Sequence, residues 1–216
     1  MHNRRVMTAL LALVLAALAC QAIGGGGGAK PLFEEDFSSE GNGWDKSSGD
    51  NSSVDYANGE YVFQVHRTSW FAWANPEGAK LSLSNIHIET TARSTGAATE
   101  PGFGVMCDYV DGDNTYYMGV SSDGYYVIAK TVGSADTVLS HEDSWTTSDL
   151  IPQQASQYRI GADCGNGKLT LYVERKQLAS VNDSTFGTGT VGLFVQSFDQ
   201  ADVEVHFDNY VVTPLK

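Results

Sequence analysis

Hydrophobic and polar side chains alternate along many short segments between residues 31 and 216. Tyr61, Phe63 and Val65, for example, share one face of a strand, with more polar positions between them. The same alternation recurs at Ile86–Ile88, Leu169–Val173, Val191–Val195 and Val203–Phe207. Successive side chains of a β-strand point to opposite faces, whereas no stretch of ten or more residues has a helical period. The pattern predicts an all-β domain with little or no helix.

Turn dipeptides separate the alternating segments. Asn58-Gly59, Asp123-Gly124 and Asn166-Gly167 each lie between two of them. Such dipeptides favour type I′ hairpins, in which both central residues need positive φ. We therefore predict antiparallel hairpins over residues 54–66, 102–121, 116–131 and 158–174. About a dozen strands in a single domain, 31–216, predict two packed sheets around one core.

The N-terminal segment resembles a secretion signal. Arg4 and Arg5 precede an uncharged run from Val6 to Leu18, which is too short to span a bilayer. Ala17-Leu18-Ala19-Cys20 resembles the lipobox of bacterial lipoproteins, although the usual leucine is replaced by Ala17. We predict a signal peptide over 1–19, a lipidated Cys20 and a glycine-rich tether over 20–30. The alternatives are ordinary cleavage after Ala19 and a structural role for Cys20.

The net charge limits the classes of partner that the domain can bind. The chain has 13 Lys and Arg against 26 Asp and Glu, a net charge of −13. Such an acidic surface repels phosphate backbones, which excludes a nucleic-acid function. Anionic lipid headgroups would not attract it either, so we expect membrane contact through the lipid anchor alone, on the extracytoplasmic side of the cell envelope.

Cysteine usage predicts one disulfide. Neither C-x-x-C nor H-x-x-x-H spacing occurs, so a zinc site of standard spacing is excluded. Cys107 and Cys164 both fall in predicted core strands, and an exported chain meets an oxidising environment. We predict that they form a disulfide; two buried free thiols are the alternative.

The order of several motifs resembles that of a known group of domains. The motifs are Phe33-Glu34-Glu35-Asp36-Phe37, Gly43-Trp44, Asp113-Asn114-Thr115-Tyr116-Tyr117, Ser122-Asp123-Gly124-Tyr125-Tyr126, Lys168–Val173, Val191-Gly192-Leu193 and Phe207-Asp208-Asn209-Tyr210. This order resembles concanavalin A-like jelly rolls of the laminin-G-like and 3-keto-disaccharide hydrolase-like kind. One departure is Glu174-Arg175-Lys176, where such domains often carry a tight Asn-Gly turn. The resemblance implies a jelly roll, but the group includes lectins, glycosidases and spacers.

Aromatic residues are the candidate ligand-binding groups. Strand alternation allows only one ring of each adjacent pair, Tyr116-Tyr117 and Tyr125-Tyr126, to face the core. Exposed rings stack on sugars, because their faces attract the C–H side of a pyranose. We expect glycan binding by the exposed members of the set Trp70, Trp73, Tyr117, Tyr126 and Trp145. The alternative for each ring is core or rim packing.

Acidic residues offer two further hypotheses. Asp202, Glu204, His206 and Asp208 share one strand face. Laminarinase-type glycosidases carry catalytic carboxylates at alternate strand positions, but their E-x-D-x-x-E spacing is missing here, so a solvated strand face is the main interpretation. Asp108, Asp111 and Asp113 suit calcium chemically, although a hairpin tip is the commoner use of such residues.

These observations favour a lipid-anchored, non-catalytic β-sandwich that binds a glycan or another cell-surface polymer. No cofactor is expected. A glycoside hydrolase of the 3-keto-disaccharide hydrolase-like type and a structural or protein-interaction domain are the two alternatives. An exposed aromatic groove would favour binding, whereas two carboxyl groups about 5–9 Å apart in a cleft would favour hydrolysis.

Overall fold

The alternating segments form strands in the computed structural model, which describes residues 30–77, 80–142 and 144–215. The predicted signal peptide, Cys20 and all but the last residue of the tether lie outside the described residues. Sixteen strands and no α-helix occur in the described part. They are β1 Phe33–Glu35, β2 Ser47–Ser48, β3 Ser52–Ala57, β4 Glu60–Val65, β5 Phe71–Ala74, β6 Ile86–Ser94, β7 Gly102–Asp111, β8 Asn114–Ser121, β9 Tyr125–Val132, β10 Ala135–Val138, β11 Thr146–Thr147, β12 Tyr158–Gly165, β13 Lys168–Val173, β14 Lys176–Asn182, β15 Thr190–Gln196 and β16 Val203–Pro214.

The strands make two antiparallel sheets. The nine-stranded sheet has the order β14-β13-β12-β6-β16-β4-β3-β2, with β1 paired to β16. The seven-stranded sheet has the order β10-β9-β8-β7-β15-β5, with β11 paired to β9. The two-sheet antiparallel sandwich predicted from the sequence is therefore confirmed. The count exceeds the expected dozen because short strands such as β2 and β11 lack a visible alternating pattern.

The main core lies between the two sheets. Phe63, Phe207 and Ile88 of the nine-stranded sheet and Val105 and Leu193 of the seven-stranded sheet are all fully buried there. Each large apolar side chain buried in this way contributes about 1.5–3 kcal/mol relative to an exposed one. This burial fixes the strand register, because a slip of one residue would turn every core side chain outward.

The predicted hairpin turns differ in their backbone conformation. Asn58 and Gly59 both have positive φ, as do Asn166 and Gly167, so these type I′ predictions are confirmed. At Asp123-Gly124 only the glycine has positive φ, 98°, and the type I′ prediction is wrong there. The β13–β14 turn contains Glu174 and Arg175 at φ 48° and 63°, so this hairpin forms without the usual glycine.

A disulfide joins the two sheets. Cys107 lies in β7 and Cys164 in β12, with their Cα atoms 6.5 Å apart, and the predicted bond is confirmed. Both residues are fully buried in the main core. The bond therefore holds the sandwich together at a point where no backbone hydrogen bond can cross.

Replacing both cysteines by alanine should lower the free energy of unfolding by about 4 kcal/mol. The bond closes a loop whose ends are 57 residues apart, and losing it frees the unfolded chain. Denaturant titration of the double variant and of the oxidised wild type measures the difference. The reduced wild type should match the variant to within about 1 kcal/mol of cavity effects. A double variant as stable as the oxidised protein would contradict the prediction.

Candidate ligand-binding face

The outer face of the seven-stranded sheet carries the residues that alternate with those of the main core. In β7 the side chain of Met106 faces outward while Val105 and Cys107 face the core. In β8 Tyr117 faces outward while Tyr116 and Met118 face the core. Strand alternation thus places a second set of apolar side chains on a face that no other sheet of the described residues covers.

These outward side chains pack together. Met106, Tyr117, Val127, Ala129 and Phe194 are buried in one group, which we name the outer cluster. Phe71 stacks on Phe194, with ring centroids 4.9 Å apart, and meets the edge of Tyr117 at 5.2 Å. The outer face of an antiparallel sheet is commonly polar. A buried apolar cluster there is therefore a marked departure.

Glycines allow the rings to lie directly on the strands. Gly104 and Gly119 are paired across β7 and β8. A Cβ atom on Gly119 would lie 2.7 Å from the Phe194 ring, and one on Gly102 would lie 2.8 Å from the Trp145 ring. Both distances are far below van der Waals contact. The close approach of these rings to the strand backbone therefore depends on residues without a side chain.

A cavity of about 200 Å³ lies where β7 and β8 meet at their hairpin. We name it the first cavity. One wall consists of Phe71, Trp73 and Tyr117, and Trp73 is 43% exposed. Burial raises the pKa of Tyr117, so its hydroxyl stays protonated and can donate a hydrogen bond. This wall offers one solvent-facing ring and one polar atom to a ligand.

The opposite wall of the first cavity is polar. It contains Asp113, Asp136, Ser134 and Thr131. Ser134 Oγ donates to Asp113 Oδ1 and Thr131 Oγ1 donates to Asp136 Oδ1, each at 2.6 Å. The two hydroxyls orient the carboxylates, which keep further oxygen lone pairs for a ligand.

A second cavity, of about 260 Å³, lies at the other end of β8. Its lining includes Tyr125, Trp145 and Phe198 together with Glu100 and Asp123. Trp145 meets Phe198 edge to face, with centroids 5.4 Å apart. The two cavities thus lie at opposite ends of β8.

The candidate rings separate into two groups. Trp73 lines the first cavity and Trp145 the second, so both stay candidates for ligand binding. Tyr117 also lines the first cavity and leaves the inter-sheet core, but it is only 7% exposed because Phe71 and Phe194 cover it, so it does not offer the exposed ring expected of a binding residue.

Trp70 and Tyr126 point toward the other sheet, so they cannot bind a ligand on the outer face of the seven-stranded sheet. Both pack against the main core. Trp70 directs its indole N–H to Ser52 Oγ of the other sheet, at 3.3 Å. Tyr125, the neighbour of Tyr126, is the exposed member of that pair. Alternation indicated that one ring of each pair leaves the core; this ring is the candidate Tyr117 in the first pair, but Tyr125 instead of the candidate Tyr126 in the second.

Sequence reasoning missed Phe71, Phe194 and the glycines. A signal was present: Gly102, Gly104 and Met106 alternate with core residues, and Gly119 follows Tyr117 at the same spacing. Small residues at neighbouring outward-facing positions indicate that side chains from elsewhere pack directly against the strand backbone. Their pairing with Phe194 and Phe71 depends on β15 and β5, which are distant in the sequence.

The acidic strand face lies on the opposite side of the sandwich. Val203, Val205 and Phe207 of β16 face the core, as predicted, while Glu204 and His206 face outward. Hydrogen bonds from Thr95, Gln64 and His206 lower the pKa of Glu204 to about 2. A carboxyl group held ionised in this way cannot act as a general acid near neutral pH.

The acids considered for calcium do not share one role. Asp111 Oδ1 accepts hydrogen bonds from the Asp113 backbone N–H and from Asn114 Nδ2, which closes the β7–β8 turn. Asp108 is buried, and burial raises its pKa to about 6. Within residues 30–77, 80–142 and 144–215, no group of three or more His, Cys, Asp or Glu is placed to hold a metal ion.

No protein-family model matches the chain, and no curated protein matches it in sequence. Solved structures do resemble it. The carbohydrate binding module CBM66 from Bacillus subtilis is 16% identical at a TM-score of 0.62, covering 79% of this chain and 95% of that one. A Bacillus subtilis protein of unknown function with a galectin-like fold is 11% identical at a TM-score of 0.63, covering 86% and 96%.

A glycoside hydrolase is similar as well. The family 16 endo-glucanase from Bacteroides ovatus is 13% identical at a TM-score of 0.58, covering 84% of this chain and 99% of that one. At such low identity these likenesses establish the fold alone. The fold is a concanavalin A-like jelly roll, as the sequence motifs implied.

Replacing Gly119 by alanine should destabilise the protein by about 1–3 kcal/mol, because the new Cβ would collide with the Phe194 ring and with the Phe103 carbonyl oxygen. Thermal or denaturant unfolding measures the loss. Gly187→Ala is the matched control, since its Cβ would meet nothing within 4 Å. Equal stability of the two variants would show that the outer cluster is not packed on the strands.

Proposed function

We propose that the protein is a lipid-anchored, extracytoplasmic, non-catalytic module that binds a glycan on the outer face of the seven-stranded sheet. The observation that carries this proposal is the first cavity, where the half-exposed indole of Trp73 faces two oriented carboxylates. A solvent-facing aromatic wall beside fixed hydrogen-bond acceptors is the usual composition of a small-molecule site.

The chemistry of the first cavity suits a sugar. The face of Trp73 can stack on the C–H side of a pyranose ring, while Asp113 and Asp136 accept hydrogen bonds from its hydroxyl groups. Both carboxylates are exposed at the rim of the cavity. Their negative charge favours neutral or cationic glycans over uronates and phosphates.

The fold gives the proposal further support. One structural neighbour is named as a carbohydrate binding module and another as an endo-glucanase. Carbohydrate contact is therefore compatible with a sandwich of this kind, although each name describes only the neighbour itself.

Hydrolysis is the second candidate function, and one observation favours it. Asp113 and Asp136 line the same cavity, and glycosidases use a pair of carboxyl groups. Against it, the centre of the face consists of Gly104, Gly119 and Phe194, none of which can transfer a proton. We therefore infer binding without bond cleavage.

Replacing Trp73 by alanine should weaken glycan binding about fivefold or more, because stacking on the exposed part of the ring contributes of order 1 kcal/mol or more. The indole N–H also donates to the Tyr109 hydroxyl, so the free energy of unfolding is measured beside the affinity, and the variant should remain folded. Isothermal titration calorimetry with hits from a glycan array measures affinity. Leu32→Ala is the control, since Leu32 is equally exposed and lies in neither cavity.

Two results would contradict this assignment. Binding that survives in Trp73→Ala would move the site elsewhere. Release of reducing sugar by the wild type, lost in Asp113→Asn and Asp136→Asn, would replace the binding module by a hydrolase.

Membrane attachment rests on the N-terminal sequence. Replacing Cys20 by alanine should move the protein from the detergent phase to the aqueous phase in a phase-partition assay, because the thiol that carries the lipid is lost. Gln21→Ala is the control and should stay in the detergent phase. A Cys20→Ala protein that still enters the detergent would show that another feature anchors the chain.

A further inference from the structure

The second cavity combines aromatic walls with two carboxylates. Tyr125, Trp145 and Phe198 line it beside Glu100 and Asp123. Tyr125 is 37% exposed, whereas Trp145 lies over Gly102 and is half-buried. The cavity therefore has a fixed inner ring and an accessible outer one.

Both carboxylates are held in place by neutral groups. Gln200 Nε2 donates to Glu100 Oε1 at 2.8 Å, and Ser121 Oγ donates to Asp123 Oδ1. The turn that carries Asp123 is fixed from outside, because the Ser148 N–H donates to the Gly124 carbonyl at 3.0 Å. The negative groups are thus oriented before any ligand arrives, which lowers the entropic cost of binding.

Neither carboxylate is neutralised. Among the described residues, no Lys, Arg or His nitrogen lies within 4.0 Å of Glu100 or Asp123. Carboxylates elsewhere are treated differently: Glu60 pairs with Arg93, and Asp183 pairs with Lys130. The second cavity therefore keeps two negative charges beside three aromatic rings.

We propose that the second cavity binds an organic ammonium group, either the protonated amine of an amino sugar or a quaternary ammonium. Aromatic faces attract such cations, and nearby carboxylates add direct charge attraction. Calcium is a poorer match, since it takes six to eight oxygen ligands and the rings offer hardly any. The proposal does not depend on glycan binding in the first cavity.

Small probes test this site directly. The full chain, purified in detergent and labelled with ¹⁵N, is titrated with tetramethylammonium, glucosamine, glucose and calcium chloride at constant ionic strength. The indole N–H signal of Trp145, assigned through Trp145→Phe, reports on the cavity. We expect it to shift with tetramethylammonium or glucosamine and not with glucose.

Charge variants separate the cavity from non-specific attraction. Glu100→Gln and Asp123→Asn should each weaken binding of the ammonium probe about threefold to tenfold, because each removes one charge-assisted contact. Asn at position 123 still precedes glycine and so suits the same turn. Asp50→Asn is the control; Asp50 is exposed, outside both cavities, and its loss changes the net charge by the same amount.

Each outcome of the titrations either supports or overturns the proposed site. A Trp145 shift that requires an ammonium probe and weakens in Glu100→Gln but not in Asp50→Asn supports the site. Equal shifts with glucose, equal affinity in Glu100→Gln, or a larger response to calcium would overturn it. If Asp123→Asn does not fold, Tyr125→Leu takes its place and should weaken binding by removing the outer ring. Loss of neutral glycan binding in Trp73→Ala leaves this test unaffected.

Discussion

The seven-stranded sheet is buried by apolar side chains on both of its faces, and the candidate binding residues depend on this double burial. On its inner face Val105, Met118 and Leu193 pack against the nine-stranded sheet. On its outer face Phe194 lies on Gly119, with Phe71 stacked above it. Because the strands cannot shift without disturbing both sides, the rings at the rim keep fixed positions.

That constraint explains why exposed and buried aromatic rings coexist within a few residues. Trp73 and Phe71 share one face of β5, yet Phe71 packs on Phe194 and is only partly exposed, whereas Trp73 is 43% exposed. Truncating Trp73 should therefore remove a ligand contact and leave the packing below it. Truncating Phe71 would open the outer cluster, so it tests packing and not recognition.

The local pattern of the sequence predicts much of the fold but less of the candidate site. Alternation identified the long strands, and Asn58-Gly59 and Asn166-Gly167 identified two turns, because both depend on neighbouring residues alone. The disulfide followed from export and from the strand faces of its cysteines. The side of the sheet to which Trp70 or Tyr126 points could not be predicted in this way. Alternation groups residues into two faces of a strand without saying which face meets the core.

The outer cluster could not be predicted from neighbouring residues in the sequence either. Tyr117 does leave the inter-sheet core, as the alternation required, but β15 and β5 bring Phe194 and Phe71 over it from positions distant in the sequence. Glu174 and Arg175 show that a local preference of the sequence can also be overridden. The paired strands β13 and β14 hold two ordinary residues at positive φ, so the surrounding sheet overrides the preference of the turn.

The two outer faces of the sandwich differ in the groups that hydrogen-bond to their carboxylates. On the nine-stranded sheet Glu60, Arg93, His206 and Glu204 form one connected network, and a hydrogen bond from Arg93 lowers the pKa of Glu60. On the seven-stranded sheet the cavity carboxylates, Asp136 among them, are held by hydroxyl and amide groups instead of cations.

A carboxylate that already has a cationic partner gains little from a ligand, whereas one oriented by a neutral donor still attracts positive charge and hydroxyl groups. Glu204 of β16 therefore belongs to a hydrogen-bond network of its own sheet, which holds it in the ionised form that cannot serve as a general acid near neutral pH. Aromatic rings, glycines and unneutralised acids meet on the other outer face, and the proposed binding site rests on this combination.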